Sequence, residues 1–525
     1  MDGERAGLPG RASCSRLVGR AVSSPSAGTA EIVRQESLFG RLPLLPEERE
    51  YGTLGAHATC FAYAVATWCF MFGGYAARLV GAVQGTICLV AGSVLGVFLT
   101  TMAPSLACQR YGLEQIDYCK TAFGQRGSKI ILIFYVVNQV GWTGLILVMF
   151  GNGLRNILRA LGYRPGTWVV GAGVALGLWL TYLLVTRGVH LLNVSNAFIA
   201  PSLVVMTVVM FTMLLWKHGW HEIALARPLR PLADPWLNYM IVFEWGVAAG
   251  FSWWAGVGFL ARNTGTRRNA VYPEILQLGL GMALVCCVSL FSSLVVHTDD
   301  PTEWMVPIGG MVMGIMALVF VVLANISTSA VAIFTCGLAL RHIGLLRSRP
   351  WWHLVLWALV ACVPFVFWPE QLYDMGNAFL AYNGTMYAPI SGILFADLVF
   401  LRRGRLNVWD IFDDDPRGEY HYSRGFNWPA LVSVLIGEVL YLYLFDPLAL
   451  TAHPVFRWAT ASLPACIVPG LVYWGWMAAL RRGTPAARGI LAPAPGAGPG
   501  AAVPGEFALA GAAPAPARRL RRPNI

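Results

Sequence analysis

The chain has 525 residues, of which 56% are hydrophobic and only 12% are charged, with 38 Lys or Arg and 27 Asp or Glu. Soluble domains carry about 25% charged residues, so this composition excludes soluble enzymes, secreted scaffolds and disordered proteins. The net charge of +11 lies at the ends of apolar runs and in the tails, which indicates membrane topology and excludes a nucleic-acid-binding face.

Apolar runs of about 20 residues recur along the chain between short basic loops. Only helices and closed barrels satisfy their own backbone in lipid, and the alternation typical of strands is absent, so the runs predict an all-α polytopic membrane protein. About twelve spans are predicted, at residues 57–78, 81–103, 129–154, 167–186, 190–216, 237–261, 272–297, 307–340, 351–368, 371–401, 427–445 and 455–480. The eighth run exceeds one crossing, so its beginning near Pro307 is expected at the outer surface.

The distribution of Lys and Arg predicts the orientation. Most of them fall on the side that carries both tails, so both termini are expected in the cytoplasm and the protein in the cytoplasmic membrane. The loop between the seventh and eighth spans holds Asp299, Asp300 and Glu303 and no base, as expected outside. No cleavable signal peptide is predicted.

The order of apolar runs, loops and tails predicts the organisation of the chain. The C-terminal tail is rich in Pro, Ala and Gly and is predicted to be disordered. The predicted segments are a cytoplasmic tail (1–53), spans one to five (54–236), spans six to ten (237–405), a cytoplasmic loop (406–426), spans eleven and twelve (427–483) and the C-terminal tail (484–525).

Polar residues inside the spans are the informative ones, because they are expensive in lipid. In the third span Asn138 and Gln139 precede Trp142, and helical spacing puts Asn138, Trp142 and Ile146 on one face. An indole beside an amide can stack on a flat heterocycle and bind its edge. Alternatively, the amides bond neighbouring helices.

The sixth span is dense in glycine around Ser252, Trp253 and Trp254. Glycines weaken a helix centre, and a broken helix is tolerated in a membrane where it lines a cavity. The alternative is close helix packing through small residues. Glu244, near the outer end of this span, is a candidate proton carrier or an interfacial residue.

The eighth span clusters Asn325, Ser327, Thr328 and Ser329. Hydroxyl and carbonyl oxygens are hard ligands that suit a small cation such as sodium. Serine and threonine also bond the carbonyls of their own helix, which is the alternative.

Together, several motifs in order resemble the nucleobase:cation symporter-1 permeases, which include cytosine, purine, allantoin and hydantoin carriers. The resemblance runs from about Tyr51 to Leu480 and rests on RYGLEQIDYCKTAFGQRGS, QVGW (139–142), the Ser252–Trp254 stretch leading into FLARN, Ser327–Thr328, APISGILFADLVFLRR (388–403) and Asn427 in RGFNWPA.

The resemblance implies an amino acid-polyamine-organocation-like fold, with two inverted five-helix repeats (spans one to five and six to ten) and two extra helices. The first and sixth helices would be unwound at their centres, and substrate would bind between spans one, three, six and eight. By position, Trp142 and Trp253–Trp254 would wall the substrate site, with Ser252 and Ser329 near the edge of the base.

The resemblance also implies a sodium site. The Ala324 carbonyl, Ser327 and Thr328 would supply its eighth-helix ligands, together with carbonyls of the first span between Ala64 and Cys69. The chain departs from some members at Ile146 and Ile333, where they carry Gln and Asn. Asn138, Gln139 or Ser329 would then have to read the base.

These observations predict a secondary active transporter that imports a planar heterocycle by sodium or proton symport with alternating access, and no cofactor besides that ion. No Ser/His/Asp set or cluster of His and carboxylates lies inside the spans, so a membrane enzyme is not expected. The alternatives are a receptor or scaffold that binds without transport, and a related carrier of a thiamine precursor.

Overall fold

The computed structural model describes residues 42–187, 189–346, 349–413 and 415–483. The helices and strands of these residues are nearly all helices. The exception is one short hairpin, in which β1 (Phe445–Asp446) pairs with β2 (Thr451–Ala452). The all-α class is therefore confirmed. The predicted disorder of the C-terminal tail lies outside the described residues.

The helices have the following bounds in chain order. They are α1 (Thr53–Ala64), α2 (Trp68–Leu79), α3 (Ala82–Thr101), α4 (Pro104–Tyr111), α5 (Gln115–Phe123), α6 (Ser128–Ala160), α7 (Trp168–Thr186), α8 (Val189–Leu225), α9 (Pro235–Ser252), α10 (Trp254–Arg262), α11 (Arg267–Pro273), α12 (Met282–Val296), α13 (Pro301–Leu340), α14 (Trp351–Val360), α15 (Pro364–Phe367), α16 (Pro369–Asp374), α17 (Gly376–Phe395), α18 (Val408–Phe412), α19 (Trp428–Leu444), α20 (Phe456–Ala459) and α21 (Ser462–Gly483). A 3₁₀ turn covers Pro46–Glu48, and π-helical segments at Glu274–Gly281 and Ala396–Leu401 continue α11 into α12 and extend α17.

Among the described residues, eight helices are long and apolar enough to cross a membrane, and two bent pairs raise the number to ten. The predicted ninth and eleventh spans correspond to α14 and α19, which have 10 and 17 residues and fall short of that length. A multi-pass membrane fold is confirmed, whereas the number of twelve spans is not.

The first span is broken. Helix α1 ends at Ala64, α2 begins at Trp68, and the two axes are bent by 54°. No glycine or proline lies between Ala56 and Phe72, and the break is held by the Thr67 hydroxyl, which donates to the Asn325 side-chain oxygen of α13. A tertiary hydrogen bond thus supports a break that local propensity does not explain.

The sixth span is also broken, between α9 and α10, with a bend of 42°. The side chain of Gln115, the first residue of α5, forms hydrogen bonds with the backbone on the C-terminal side of this break. Its Oε1 accepts from the Gly258 backbone N–H at 2.7 Å, and its Nε2 donates to the Trp254 carbonyl. The expected unwinding of the first and sixth spans is therefore confirmed.

The long eighth run changes direction near its start. Helix α13 contains a non-helical residue, Gly310, with φ +67°, three residues after Pro307. Only glycine adopts this left-handed conformation without strain. The kink sets the beginning of this run apart from the rest of α13, and its position at the outer surface stays a prediction.

Helices α3 and α9 pack through glycines at backbone contact. A Cβ at Gly250 would lie 2.5 Å from the Val97 backbone nitrogen, and one at Gly96 would lie 2.2 Å from the Val247 carbonyl oxygen. Small residues four apart let membrane helices approach this closely. For Gly246 and Gly250, close packing is therefore the correct interpretation.

A buried ion network fixes the loop after α17. The Arg402 Nε lies 2.6 Å from Asp397 Oδ2, and its Nη2 donates to the Thr121 carbonyl of α5 at 2.8 Å. Arg402 also pairs with Glu419, and the Tyr473 hydroxyl donates to Asp397 at 2.9 Å. Removing one member would leave a buried charge unpaired, which is strongly destabilising.

The glycine contact generates a stability prediction. Gly250→Ala is expected to destabilise the fold by about 1–3 kcal/mol, since the new methyl group overlaps backbone that cannot move independently. Gly475→Ala on α21 is the matched control, because its Cβ would meet nothing within 4 Å. Thermal unfolding in detergent measures both. Equal melting temperatures for the two variants would contradict the packing.

Candidate functional site

A cavity of about 230 Å³ lies between the two helix breaks. Helices α1, α2, α6, α8 and α13 contribute to its wall together with the α9–α10 break. It extends from a group of three tryptophans, Trp68, Trp142 and Trp253, to Glu114, Arg262 and His342 at the other end. Broken helices are tolerated at such a place because the cavity gives their backbone groups partners.

The three tryptophans form an aromatic cage, the name used below for Trp68, Trp142 and Trp253. The ring of Trp68 lies 5.2 Å from that of Trp142 and 5.8 Å from that of Trp253, centroid to centroid. Phe379 meets the far side of Trp142 edge-on at 5.4 Å. Offset and edge contacts of this kind stabilise the rings against each other and fix their orientation.

Of the two predicted tryptophans of the sixth span, only Trp253 lines the cavity. Trp254 is fully buried elsewhere and stacks on Tyr387 of α17, with centroids 5.1 Å apart and planes inclined by 17°. Adjacent residues on a helix point about 100° apart, so the two indoles cannot share one wall. The structure therefore contradicts the expectation that Trp254 walls the site.

Three predicted polar residues, Asn138, Gln139 and Ser252, line the cavity. Asn138 is buried and donates to the side chain of Asn383, while its own Oδ1 has no partner among the described residues. Gln139 donates to the Thr335 hydroxyl at 2.6 Å. The Ser252 hydroxyl donates to the Ala249 carbonyl of its own helix at 2.6 Å.

The predicted cation ligands are only partly brought together. Ser327 and Thr328 line the cavity beside the break of the first span, whereas Ala324 is buried outside the lining. Ser329 is buried away from the cavity, so it does not read the edge of a ligand in this arrangement. The Ala64–Cys69 stretch contains the break, and Val65 and Ala66 line the cavity there. The hydroxyl oxygens of Ser327 and Thr328 are of the kind that hard cations prefer, whereas the Ala64, Ala66 and Thr67 carbonyls accept hydrogen bonds within the first span.

Glu244 lies outside the cavity and is fully buried, so the expectation of an interfacial position is wrong. Its carboxylate accepts from the backbone N–H groups of Ala461 and Ser462, each at 3.1 Å, and from the Ser462 hydroxyl. Helix α21 begins at Ser462, and a carboxylate at a helix start satisfies free N–H groups and the helix dipole. This geometry gives Glu244 a structural contact between α9 and α21.

Sequence reasoning missed several lining residues. Trp68 is the most important, because it touches both other indoles of the cage. The signal was its position inside the Ala64–Cys69 stretch that was predicted to supply ion-binding carbonyls. Glu114, Arg262 and His342 were missed because each lies at the end of a helix, where charged residues are ordinary.

The sequence profile of the family described as "Permease for cytosine/purines, uracil, thiamine, allantoin" matches residues 43–462. The chain is 23% identical over 406 residues to the purine-uracil permease NCS1 of Arabidopsis thaliana, covering 71% of this chain and 66% of that protein, just under two thirds. It is 24% identical over 451 residues to the hydantoin permease of Microbacterium maritypicum, covering 79% of this chain and 88% of that protein.

Solved structures share the fold. The inward facing conformation of Mhp1 superposes with a TM-score of 0.69 at 21% identity and covers 83% of this chain and 93% of Mhp1. A closed conformation of Mhp1, a nucleobase-cation-symport-1 family transporter, with bromovinylhydantoin bound gives 0.67 at 20% identity, covering 85% and 96%. The profile match over most of the chain shows that the protein is a membrane transporter and not an enzyme. It belongs to the family of permeases for cytosine and purines, uracil, thiamine and allantoin, the nucleobase:cation symporter-1 permeases.

Proposed function

We propose that this permease carries a flat nucleobase-like heterocycle, of the cytosine, purine, allantoin or hydantoin class, by cation symport with alternating access. The observation that carries the proposal is the aromatic cage beside two interrupted spans. No bond has to be made or broken in the substrate. The ion and the heterocycle must bind one conformation better than the other, and that difference is the coupling free energy.

The cage supports a planar substrate. Indole rings offer flat faces for stacking, and the Asn138 Oδ1 is a buried acceptor without a partner among the described residues. An unsatisfied buried acceptor favours a ligand that brings an N–H group, as the edge of a nucleobase or hydantoin does. The names of the two relatives, a purine-uracil permease and a hydantoin permease, fit this class.

The hydroxyls of Ser327 and Thr328 support a cation beside the substrate. Ser327 and Thr328 line the same cavity as Val65, the residue at which the first span leaves helical geometry with φ −85° and ψ 84°. A sodium ion there would join α13 to the first span, so its binding would favour conformations in which these two elements are close. Proton coupling is the alternative when sodium has no effect.

The orientation follows the charge distribution. The cavity end with Glu114, Arg262 and His342 carries the loops that the basic residues assign to the cytoplasm. Substrate would leave toward the cytoplasm through this end, with both termini on the same side in the cytoplasmic membrane.

Removing one indole of the aromatic cage tests the substrate site. Trp142→Ala is expected to weaken binding of the transported heterocycle by about 1–3 kcal/mol, as base stacking on aromatic side chains does. Equilibrium binding of radiolabelled heterocycle to purified protein measures this change. Trp168→Ala is the control, because that indole is 74% exposed at the start of α7. An unchanged dissociation constant in Trp142→Ala would remove this residue from the site.

Removing one hydroxyl tests the cation site. Thr328→Ala is expected to raise the sodium concentration for half-maximal uptake about tenfold, equivalent to roughly 1.4 kcal/mol, while sodium-free binding of heterocycle stays unchanged. Thr212→Ala is the control, since its exposed hydroxyl bonds the Val208 carbonyl of its own helix. Uptake into proteoliposomes over a sodium series provides the measurement. Equal sodium dependence in all three proteins would exclude Thr328 as a ligand.

Glu244→Gln separates a structural role from proton coupling. The amide replaces a charged acceptor at the start of α21, so we expect a loss of about 1–3 kcal/mol in stability and unchanged cation dependence of uptake. Glu222→Gln, at a side chain 58% exposed, is the control. A Glu244→Gln protein that melts like wild type but no longer responds to a proton gradient would restore Glu244 as the proton carrier.

A further inference from the structure

Three titratable side chains meet at the cavity end farthest from the aromatic cage. His342 follows the end of α13, Glu114 precedes α5, and Asp117 lies in the first turn of α5. The His342 Nε2 lies 3.8 Å from Glu114 Oε2, and its Nδ1 lies 3.7 Å from Asp117 Oδ1. One imidazole therefore stands between two carboxylates that come from a different part of the chain.

The cluster faces the cavity yet is poorly exposed. Glu114 and His342 both line the cavity, and the side chains of Glu114, His342 and Asp117 are 20%, 16% and 2% exposed. Charges this far from bulk water are screened less than surface charges, so their protonation states affect one another strongly.

The groups around the cluster bear on which cation it would bind. Lys120 lies one turn away on α5, with its Nζ 2.7 Å from the same Asp117 oxygen that faces His342. Arg262 of α10 interacts electrostatically with Glu114, and the thiols of Cys108 on α4 and Cys119 on α5 lie in the same environment. The positive charges of Lys120 and Arg262 beside the carboxylates disfavour binding of a divalent metal ion, which needs several ligand atoms at once. A proton carries a single charge and needs only one lone pair.

We infer that Glu114, Asp117 and His342 form a proton-binding site at the mouth of the cavity, which ties the end of α13 to the corner between α4 and α5. The inference deepens the proposed function and rests on it, since the mouth matters only if substrate passes through it. The site is distinct from the sodium ligands beside the aromatic cage and from Glu244.

The sign of the pH effect follows from the charges. Histidine changes charge between about pH 5 and 8, and an ion pair with Glu114 also needs that carboxyl ionised. Burial raises the pKa of Glu114. A charged imidazole can pair with these carboxylates and a neutral one cannot, so the tie belongs to the acidic end of that range.

The ion pairs of His342 with Glu114 and Asp117 would stabilise the observed arrangement of helices at the cavity mouth. Helix α5 packs on both α4 and α6, and α13 packs on α6, so the cluster adds a direct tie between the end of α13 and the corner between α4 and α5. With His342 protonated, we expect the mouth to keep this geometry longer in each cycle. Substrate exchange should then be slower at pH 6 than at pH 8.

Counterflow exchange of labelled heterocycle in proteoliposomes tests this, with equal pH and equal sodium on both faces so that no gradient drives transport. The wild type is expected to exchange about two- to fivefold faster at pH 8 than at pH 6, a factor that even a weak ion pair can produce. His342→Gln should exchange at the faster rate at both values. Glu114→Gln should also exchange at the faster rate at both pH values. Its amide oxygen can still accept from the Ile116 N–H, so the start of α5 keeps its cap.

His218→Gln is the matched control, because that imidazole also pairs with a carboxylate, Glu222 at 3.0 Å, but lies on α8 outside the cavity lining. It should keep the pH dependence of wild type. A His342→Gln protein whose exchange follows the wild-type pH profile would overturn the proposal.

A second readout separates this inference from the proposed function. The melting temperature of ligand-free protein at pH 6 and pH 8 needs no substrate. Wild type should lose more stability than His342→Gln on going from pH 6 to pH 8, and an equal loss would overturn the proton site. Failure of every heterocycle to bind would instead refute the proposed function and leave this stability comparison intact.

Discussion

The structure depends on one constraint, that a helix interrupted inside a membrane must find partners for its freed polar groups. Each interrupted span is held by a side chain from a distant element. At the first break the Val65 and Ala66 N–H groups bond nearby carbonyls, and Asn325 anchors the Thr67 side chain. At the second break Gln115 pairs both the Trp254 carbonyl and the Gly258 N–H. An unpaired backbone group in lipid costs several kcal/mol, so these contacts fix where the breaks occur and hence where the cavity forms.

Around the breaks the packing is of two kinds. Helices α3 and α9 meet at backbone distance through Gly96 and Gly250, and Arg402 is locked into a buried ion network with Asp397. These contacts leave no room for adjustment. The cavity between the breaks is instead lined by side chains of several helices, and the cage touches α2, α6 and the α9–α10 junction at once. Rigid glycine contacts beside a cavity shared by several helices suit a protein whose helices move as groups.

The fold class was predictable because hydropathy and backbone satisfaction leave few choices in lipid. The glycines of the sixth span also indicated its break. The first break was not visible in local sequence, since Val65 to Thr67 contains no glycine or proline, and only the resemblance implied it. Nor could sequence choose between Trp253 and Trp254 or find Trp68, because which face of a helix meets the cavity depends on its neighbours.

The most direct test of the account is thermal stabilisation of the purified protein by a panel of pyrimidines, purines, hydantoins, allantoin and thiamine precursors, each with and without sodium. Ligand that binds the folded state raises the melting temperature by mass action. The account requires that at least one planar heterocycle stabilise the protein, and that sodium increase the shift. A panel in which no heterocycle raises the melting temperature under either condition would contradict it.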